Sequence, residues 1–161
     1  MVIKEIDKKL REDIKDFRGS IVISRGQVHS LDTLPGYAVL IGDKITGIIT
    51  YNISDGACEI VSLDSKLEGQ GIGTKLIDLV IVKARESNCE RVWLITSNDN
   101  IRAIRFYQKR GFDIKAVHQD VITEARKIKP SIPLVGFDGI PVRHEIEFEF
   151  ILNPLYYTSL T

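Results

Sequence analysis

Gly69, Gly71 and Gly73, spaced at every second position, constrain this chain more than any other stretch of it. They join a strand-like run over residues 57–63 to a long, apolar-rich helical pattern that begins at Ile72. Without a Cβ, a glycine takes positive φ readily and lets another group approach the backbone. A helix that starts there adds unpaired N–H groups and the positive end of its dipole. Strand, glycine turn and helix N-terminus together read either as a seat for phosphate or pyrophosphate, or as a tight turn that binds nothing. Two nucleotide motifs are excluded. A P-loop needs Lys then Ser/Thr after its last glycine, and here Thr74 precedes Lys75. A dinucleotide fingerprint would need its third glycine where Thr74 or Leu76 stands.

A second pattern lies downstream, in Asn100, Ala103, Phe106, Tyr107, Gly111 and Phe112. The two stretches, in this order and with room for one helix and one strand between them, resemble the GNAT superfamily of acyl-CoA-dependent N-acyltransferases. That family's pyrophosphate loop reads Arg/Gln-x-x-Gly-x-Gly/Ala, and its later helix Asn-x-x-Ala-x-x-Phe-Tyr-x-x-x-Gly-Phe. Gly71 and Gly73 match the loop's two small positions, and Leu76 and Ile77 the apolar pair after it. Glu68 stands where the family carries Arg or Gln, which removes side-chain help at that position but leaves the backbone amides. The resemblance covers roughly residues 37–120.

It implies an α/β (α+β) fold: a mixed, mainly antiparallel sheet flanked by helices, with its central strands splayed apart. It implies an N-acetyltransferase that uses acetyl-CoA as co-substrate, attacked directly by an amine. The alternative is a sensor or partner module that binds acetyl-CoA with little turnover. By position, pantetheine would meet the backbone of Val61, Ser62 and Leu63, and pyrophosphate the loop of Gly69, Gln70, Gly71, Ile72, Gly73 and Thr74. Asn98 and Asn100 would lie beside the cofactor, although Asn100 is equally suited to capping a helix. Tyr107 matches the tyrosine beside the thioester sulfur. A phenol stays protonated at neutral pH and can donate to the leaving thiolate; otherwise Tyr107 simply packs. Glu59 is the candidate base, or else a charge at the solvated edge of the sheet. No metal is called for.

The rest of the chain reads as strands and helices by period. A strand begins at Val2, and Asp7 caps a helix with Leu10, Ile14 and Phe17 on one face. Residues 21–23 look strand-like, and 27–36 read as loop with a Pro35-Gly36 turn. Residues 37–41 and 44–51 flank Gly42-Asp43 as a hairpin. A helix over 72–86, a strand over 91–96 with Trp93 as core filler, a helix over 100–110 ended by Gly111, and a strand over 113–118 follow. A helix over 121–128 leads into a loop-rich insertion over 130–141. The final strand, 144–150, sets Glu145, Glu147 and Glu149 on one face against Ile146, Phe148 and Phe150 on the other. Such an acidic strip either attracts a cationic amine or protects an exposed sheet edge.

At 161 residues the chain reads as one domain over 1–161. Lys+Arg and Asp+Glu both number 22, so no net charge favours nucleic acid or a membrane surface. Cys58 and Cys89 lack metal-site spacing and read as core; His29, His118 and His144 are isolated in sequence and read as surface or packing residues. No signal peptide opens the chain and no apolar run is long enough for a membrane span, so the cytoplasm is the expected location. The expected partner is an amine acceptor, with a homodimer left open.

Overall fold

The computed structural model describes residues 1–17, 21–67 and 69–152. The expected place of Phe17 on its helix face, and Glu68 itself, lie outside the described residues. Strand β1 (Val2–Glu5) leads to helix α1 (Lys8–Phe17), whose first turn is capped by Asp7 Oδ1 accepting from Leu10 N at 2.8 Å. A small hairpin follows, β2 (Ile21–Ser24) and β3 (Gln27–Ser30). Next come β4 (Gly36–Ile41), β5 (Lys44–Ser54), β6 (Ala57–Ser65), α2 (Ile72–Glu86), β7 (Arg91–Ser97) and α3 (Ile101–Lys109). Strand β8 (Asp113–His118), helix α4 (Val121–Ile128) and strand β9 (Glu145–Ile151) complete the described chain.

Among the described residues, seven strands form one sheet in the order β1-β4-β5-β6-β7-β9-β8, and β2 pairs only with β3. Every pairing is antiparallel except β6 with β7. This one parallel pair fixes where the sheet opens. Its ladder runs from Ala57–Arg91 to Ile60–Leu94 and stops. Beside that point β6 carries one extra residue, because Thr50 faces Ser62 while Tyr51 faces Ile60. The extra residue is Val61. A bulge bends its strand and raises the local twist, so β6 turns away from β7 there and the two strands splay.

Alternation sorts the side chains to two faces. Ile60, Val92, Leu94 and Phe148 pack under Leu76, Ile77 and Val80 of α2 and Tyr107 of α3. On the other face, Ala38 and Ile48 meet Leu10 and Ile14 of α1, and Val61 meets Leu31 and Leu34. Phe148 is fully buried at the first interface, where truncation of such a ring to Ala costs about 3–5 kcal/mol.

Four readings of the sequence are corrected here. Residues 27–30 are a strand rather than loop, folded onto β2 across Arg25 and Gly26 at φ 49° and 75°. Gly36 opens β4 instead of sitting in a turn; a Cβ there would lie 2.0 Å from the Ile49 carbonyl oxygen. Trp93 is half-buried rather than core, with the Arg91 guanidinium 5.2 Å from its ring centroid. Strand β9 is no edge: it is paired on both sides, by β7 and β8. The insertion over 130–141 is loop-rich as expected. It is held by Arg126, which donates to the Ile132 and Pro133 carbonyls at 3.2 and 2.9 Å and also to that of Val142.

Candidate active site

Among the described residues no side chain caps the start of helix α2. Its N-cap residue Gly71 sits at φ 71° and ψ 11°, and Gly69 at φ 74°. Side chains other than glycine adopt this left-handed region at a cost of about 1–2 kcal/mol. A Cβ built on either glycine meets no heavy atom within 4 Å, so it would project into open space rather than into the fold. None of the first turn's own residues is acidic. The unpaired first-turn N–H groups and the dipole therefore make a seat for an anion. Gly73 is small for another reason. A Cβ there would lie 3.1 Å from Phe106 Cζ, so its absence lets α3 lie close against α2.

Gly69, Gly71, Ile72, Gly73 and Thr74 form one wall of a cleft of about 580 Å³, with Leu63 and Ser65 of β6 beside them. Helix α3 supplies the opposite wall through Arg102, Ala103, Arg105, Phe106, Tyr107 and Arg110 at its end. Arg110 donates from Nε to Thr74 Oγ1 at 2.8 Å, and its guanidinium lies 4.3 Å from the Phe106 ring centroid. Three guanidinium groups thus line the cleft, and no carboxylate does among the described residues. Guanidinium forks match phosphate oxygens in geometry and charge. Sequence reasoning missed these arginines; their recurrence on one broad face of the helix that follows the glycine loop was the available signal.

Tyr107 is buried in the wall of this cleft. Its ring lies 5.4 Å from Phe106, 5.7 Å from Phe112 and 5.8 Å from Phe148, centroid to centroid. Packing on three sides fixes the phenol. Both sequence readings of Tyr107, as packed ring and as cleft residue, therefore meet in one side chain.

The other expected site residues divide. Leu63 lines the cleft. Val61 turns its side chain to the opposite face, and the Ser62 and Thr50 hydroxyls bond each other at 2.6 Å, so these two positions present backbone alone to the gap beyond Ile60. Asn100 caps α3, accepting from Ala103 N at 3.2 Å. Asn98 is drawn away from the cleft: its Oδ1 accepts from Arg143 N and His144 N, both at 2.9 Å, and its Nδ2 donates to the Pro141 carbonyl.

Glu59 lies on the face opposite the cleft, one residue before the β6–β7 ladder ends, and only 3% of it is exposed. It is not a solvated edge charge. The β2–β3 hairpin covers it and sets His29 Nε2 3.3 Å from Glu59 Oε2, with Ser24 buried beside them. Burial pushes the Glu59 carboxyl above its ordinary range, while the Ser24 hydroxyl and His29 offset part of the rise. Glu59 Oε1 has no hydrogen-bond partner among the described residues. Of the two readings of His29, surface or packing, the structure gives the buried one and sets it beside Glu59.

The acidic strip of β9 is largely neutralised. Arg91 reaches Glu147 at 3.2 Å and Glu149 at 3.1 Å, and His118 bonds Glu147 at 3.0 Å. Burial raises the Glu147 carboxyl, but the His118 and Arg91 hydrogen bonds outweigh it and hold the group below its usual range. Cys58 and Cys89 are both buried free thiols, and burial pushes Cys58 up to about 12. Among the described residues, no cluster of three or more His, Cys, Asp or Glu is placed to hold a metal ion, and no helix is long and apolar enough to cross a membrane.

Comparison with known proteins gives this geometry a family. The family model described as the acetyltransferase (GNAT) family matches residues 7–112. The uncharacterized protein YdhI of Bacillus subtilis (strain 168) is 45% identical over 134 residues, spanning 83% of each chain. The uncharacterized protein YxbD of the same organism is 46% identical over 127 residues, spanning 78% of this chain and 79% of its own. A Bacillus subtilis acetyltransferase solved in complex with CoA shares the fold, with a TM-score of 0.68 at 22% identity, covering 93% of this chain and 97% of that one. The chain belongs to the acetyltransferase (GNAT) family.

Proposed function

We propose that this member of the acetyltransferase (GNAT) family is an N-acetyltransferase that moves the acetyl group of acetyl-CoA onto an amine. The observation that carries the reading is the cleft itself, in which an uncapped, glycine-lined helix N-terminus faces three arginines and a buried tyrosine. The amides of Gly71, Ile72, Gly73 and Thr74 would hold the pyrophosphate, with Arg102, Arg105 and Arg110 around it. The backbone of residues 61–63, which has no partner strand on the β7 side, would bind the pantetheine amides. Acetyl-CoA supplies an activated acyl group on sulfur.

The residues of this chain then manage two protons. The amine nitrogen forms the new C–N bond as the C–S bond breaks. The amine attacks in its neutral form, one ammonium proton having left to solvent. The proton that nitrogen sheds on forming the new bond passes to Glu59, beside His29. The CoA thiolate takes a proton from Tyr107, which solvent restores as Glu59 releases its own. Glu59 and Tyr107 flank the parting of β6 and β7 from opposite faces, so donor and acceptor of protons are kept apart.

Calorimetric titration with acetyl-CoA, together with a thiol-release screen across amines, tests the reading. Acetyl-CoA is expected to bind far better than NAD, and one amine class to release CoA. Tyr107→Phe keeps the packed ring and removes the proton donor; kcat is expected to fall about tenfold or more, with acetyl-CoA affinity retained. Tight acetyl-CoA binding with no thiol release from any amine would instead favour a binding module without turnover.

A further inference from the structure

Where β6 and β7 part, the sheet has an opening on each face. The cleft described above occupies one side. On the other lies a second cavity of about 250 Å³, floored by the open end of β7 at residues 95–97. Val22 and Ile23 of the hairpin, with Ile122 and Ala125 of α4, give it an apolar side. Two buried carboxylates line it, Glu145 of β9 and Asp99, and Lys129 lines it as well.

The polar groups around this cavity are unequal. Asp99 is committed, accepting from Ser97 Oγ on one oxygen and from Phe137 N at 3.2 Å on the other. Lys129 donates to the Ile21 carbonyl at 2.9 Å. Glu145 differs. Both of its contacts with Arg25, from the backbone N at 3.2 Å and from a guanidinium nitrogen at 3.8 Å, fall on Oε1. Glu147 and Glu149 are bound by Arg91 and line no part of the cavity, so one carboxylate of the acidic strip remains for a ligand.

We propose that this cavity binds the acceptor, and that the acceptor is a small primary amine with one positive charge and an apolar body; the assignment rests on the acetyl-transfer reading above. Three features select this class. The volume is below the range of about 300–1,000 Å³ common for ligand pockets, which suits a compact molecule. The walls bury apolar surface, and bury no polar body without cost. A single carboxylate oxygen matches one ammonium, whereas a polyamine brings further charges that these walls would leave unpaired. The hairpin tip joins binding to chemistry, since Arg25 contacts Glu145 while the adjacent Ser24 lies beside Glu59. An ammonium drawn to Glu145 thus arrives near the group that takes its proton.

The test uses phenethylamine as probe, with spermidine and an alanine-initiated tetrapeptide as the competing classes. Phenethylamine is first titrated into the isotopically labelled full chain, alone and with CoA. Resonances of Ile95, Ile122, Ala125 and Glu145 are expected to shift; no shifts, or shifts confined to other surfaces, would overturn the assignment. In the coupled assay phenethylamine is expected to release CoA with a lower KM than either competitor. Glu145→Gln is expected to raise that KM about tenfold, and Ala125→Phe, which fills the cavity from α4, to abolish saturation. Both variants should bind acetyl-CoA as wild type does, which also reports that they are folded. Turnover of spermidine or peptide without phenethylamine would overturn the acceptor class and leave acetyl transfer standing. Failure of acetyl-CoA to bind would remove acetyl transfer, while the titration would still decide whether the cavity takes an amine.

Discussion

Substituting Gly71 twice separates the two reasons for a glycine there. In Gly71→Ala the new methyl group meets nothing within 4 Å, so the expected stability loss is the left-handed backbone alone, about 1–2 kcal/mol. For a chain of this length that lowers Tm by roughly 2–8 °C. Asparagine tolerates the left-handed region, so Gly71→Asn should melt close to wild type. Both variants nevertheless put a side chain over the first-turn amides of α2. If those amides hold a pyrophosphate, each charge-assisted hydrogen bond lost costs about 1.5–3 kcal/mol, roughly 10- to 200-fold in affinity. Thermal melts give the first quantity, and calorimetry with acetyl-CoA the second. The decisive variant is Gly71→Asn, expected to keep its Tm and lose its affinity. If it binds acetyl-CoA like wild type, the glycine serves only the turn, and the cradle reading is refuted.

Further outcomes follow from Glu59 and Asn98. Because burial raises the Glu59 carboxyl, the acid limb of the kcat profile is expected above the range of an exposed glutamate, and Glu59→Gln should remove that limb along with most of the activity. The sign for stability is set by the same shift: the folded state holds this proton more tightly than the unfolded chain, so the contribution is full below the unfolded value and lost as pH rises through the folded one. Urea melts of wild type and Glu59→Gln across the mildly acidic range check it; a wild-type stability that rises with pH relative to the variant would contradict it. Asn98→Ala removes the acceptor of two backbone donors, neither of them buried, and should cost about 0.5–1.5 kcal/mol with acetyl-CoA affinity unchanged, whereas weakened affinity at unchanged Tm would return Asn98 to the cofactor site.

Most of the sheet was legible because period-two runs and the Gly42-Asp43 turn carry their own signals. What failed was set by neighbours rather than by local pattern. The β2–β3 turn places Arg25 at positive φ where Asn or Asp is customary, so residues 27–30 carry no hairpin mark. Gly36 resembles a turn glycine beside Pro35, yet its smallness is required by the Ile49 carbonyl of the adjacent strand. Strand β9 alternates like an edge. Its acidic face is tolerable inside the sheet only because Arg91, His118 and Lys115 come to it from the two strands that flank it. Whether a strand lies at an edge is a property of the strand order, which no single segment encodes.

The site shows the same division more sharply. The anion seat is contiguous in sequence, and its glycines, apolar helix positions and Tyr107 helix could be aligned with a family pattern. The proposed acceptor side would be assembled from segments far apart: Val22, Ile23 and His29 from the hairpin, Glu59 from β6, Ala125 from α4 and Glu145 from β9. His29 and Glu59 are 30 positions apart and meet only because the hairpin folds across the face that the bulge at Val61 exposes. A lone histidine in a sequence is therefore weak evidence against function when the segment bearing it can fold over the sheet. The consequence is a division of labour. On this proposal the cofactor chemistry would need one loop and one helix, whereas acceptor specificity would be distributed over four elements. If the proposal holds, changes confined to the hairpin or α4 should retune the acceptor while acetyl-CoA binding, assigned to α2 and α3, stays as it is.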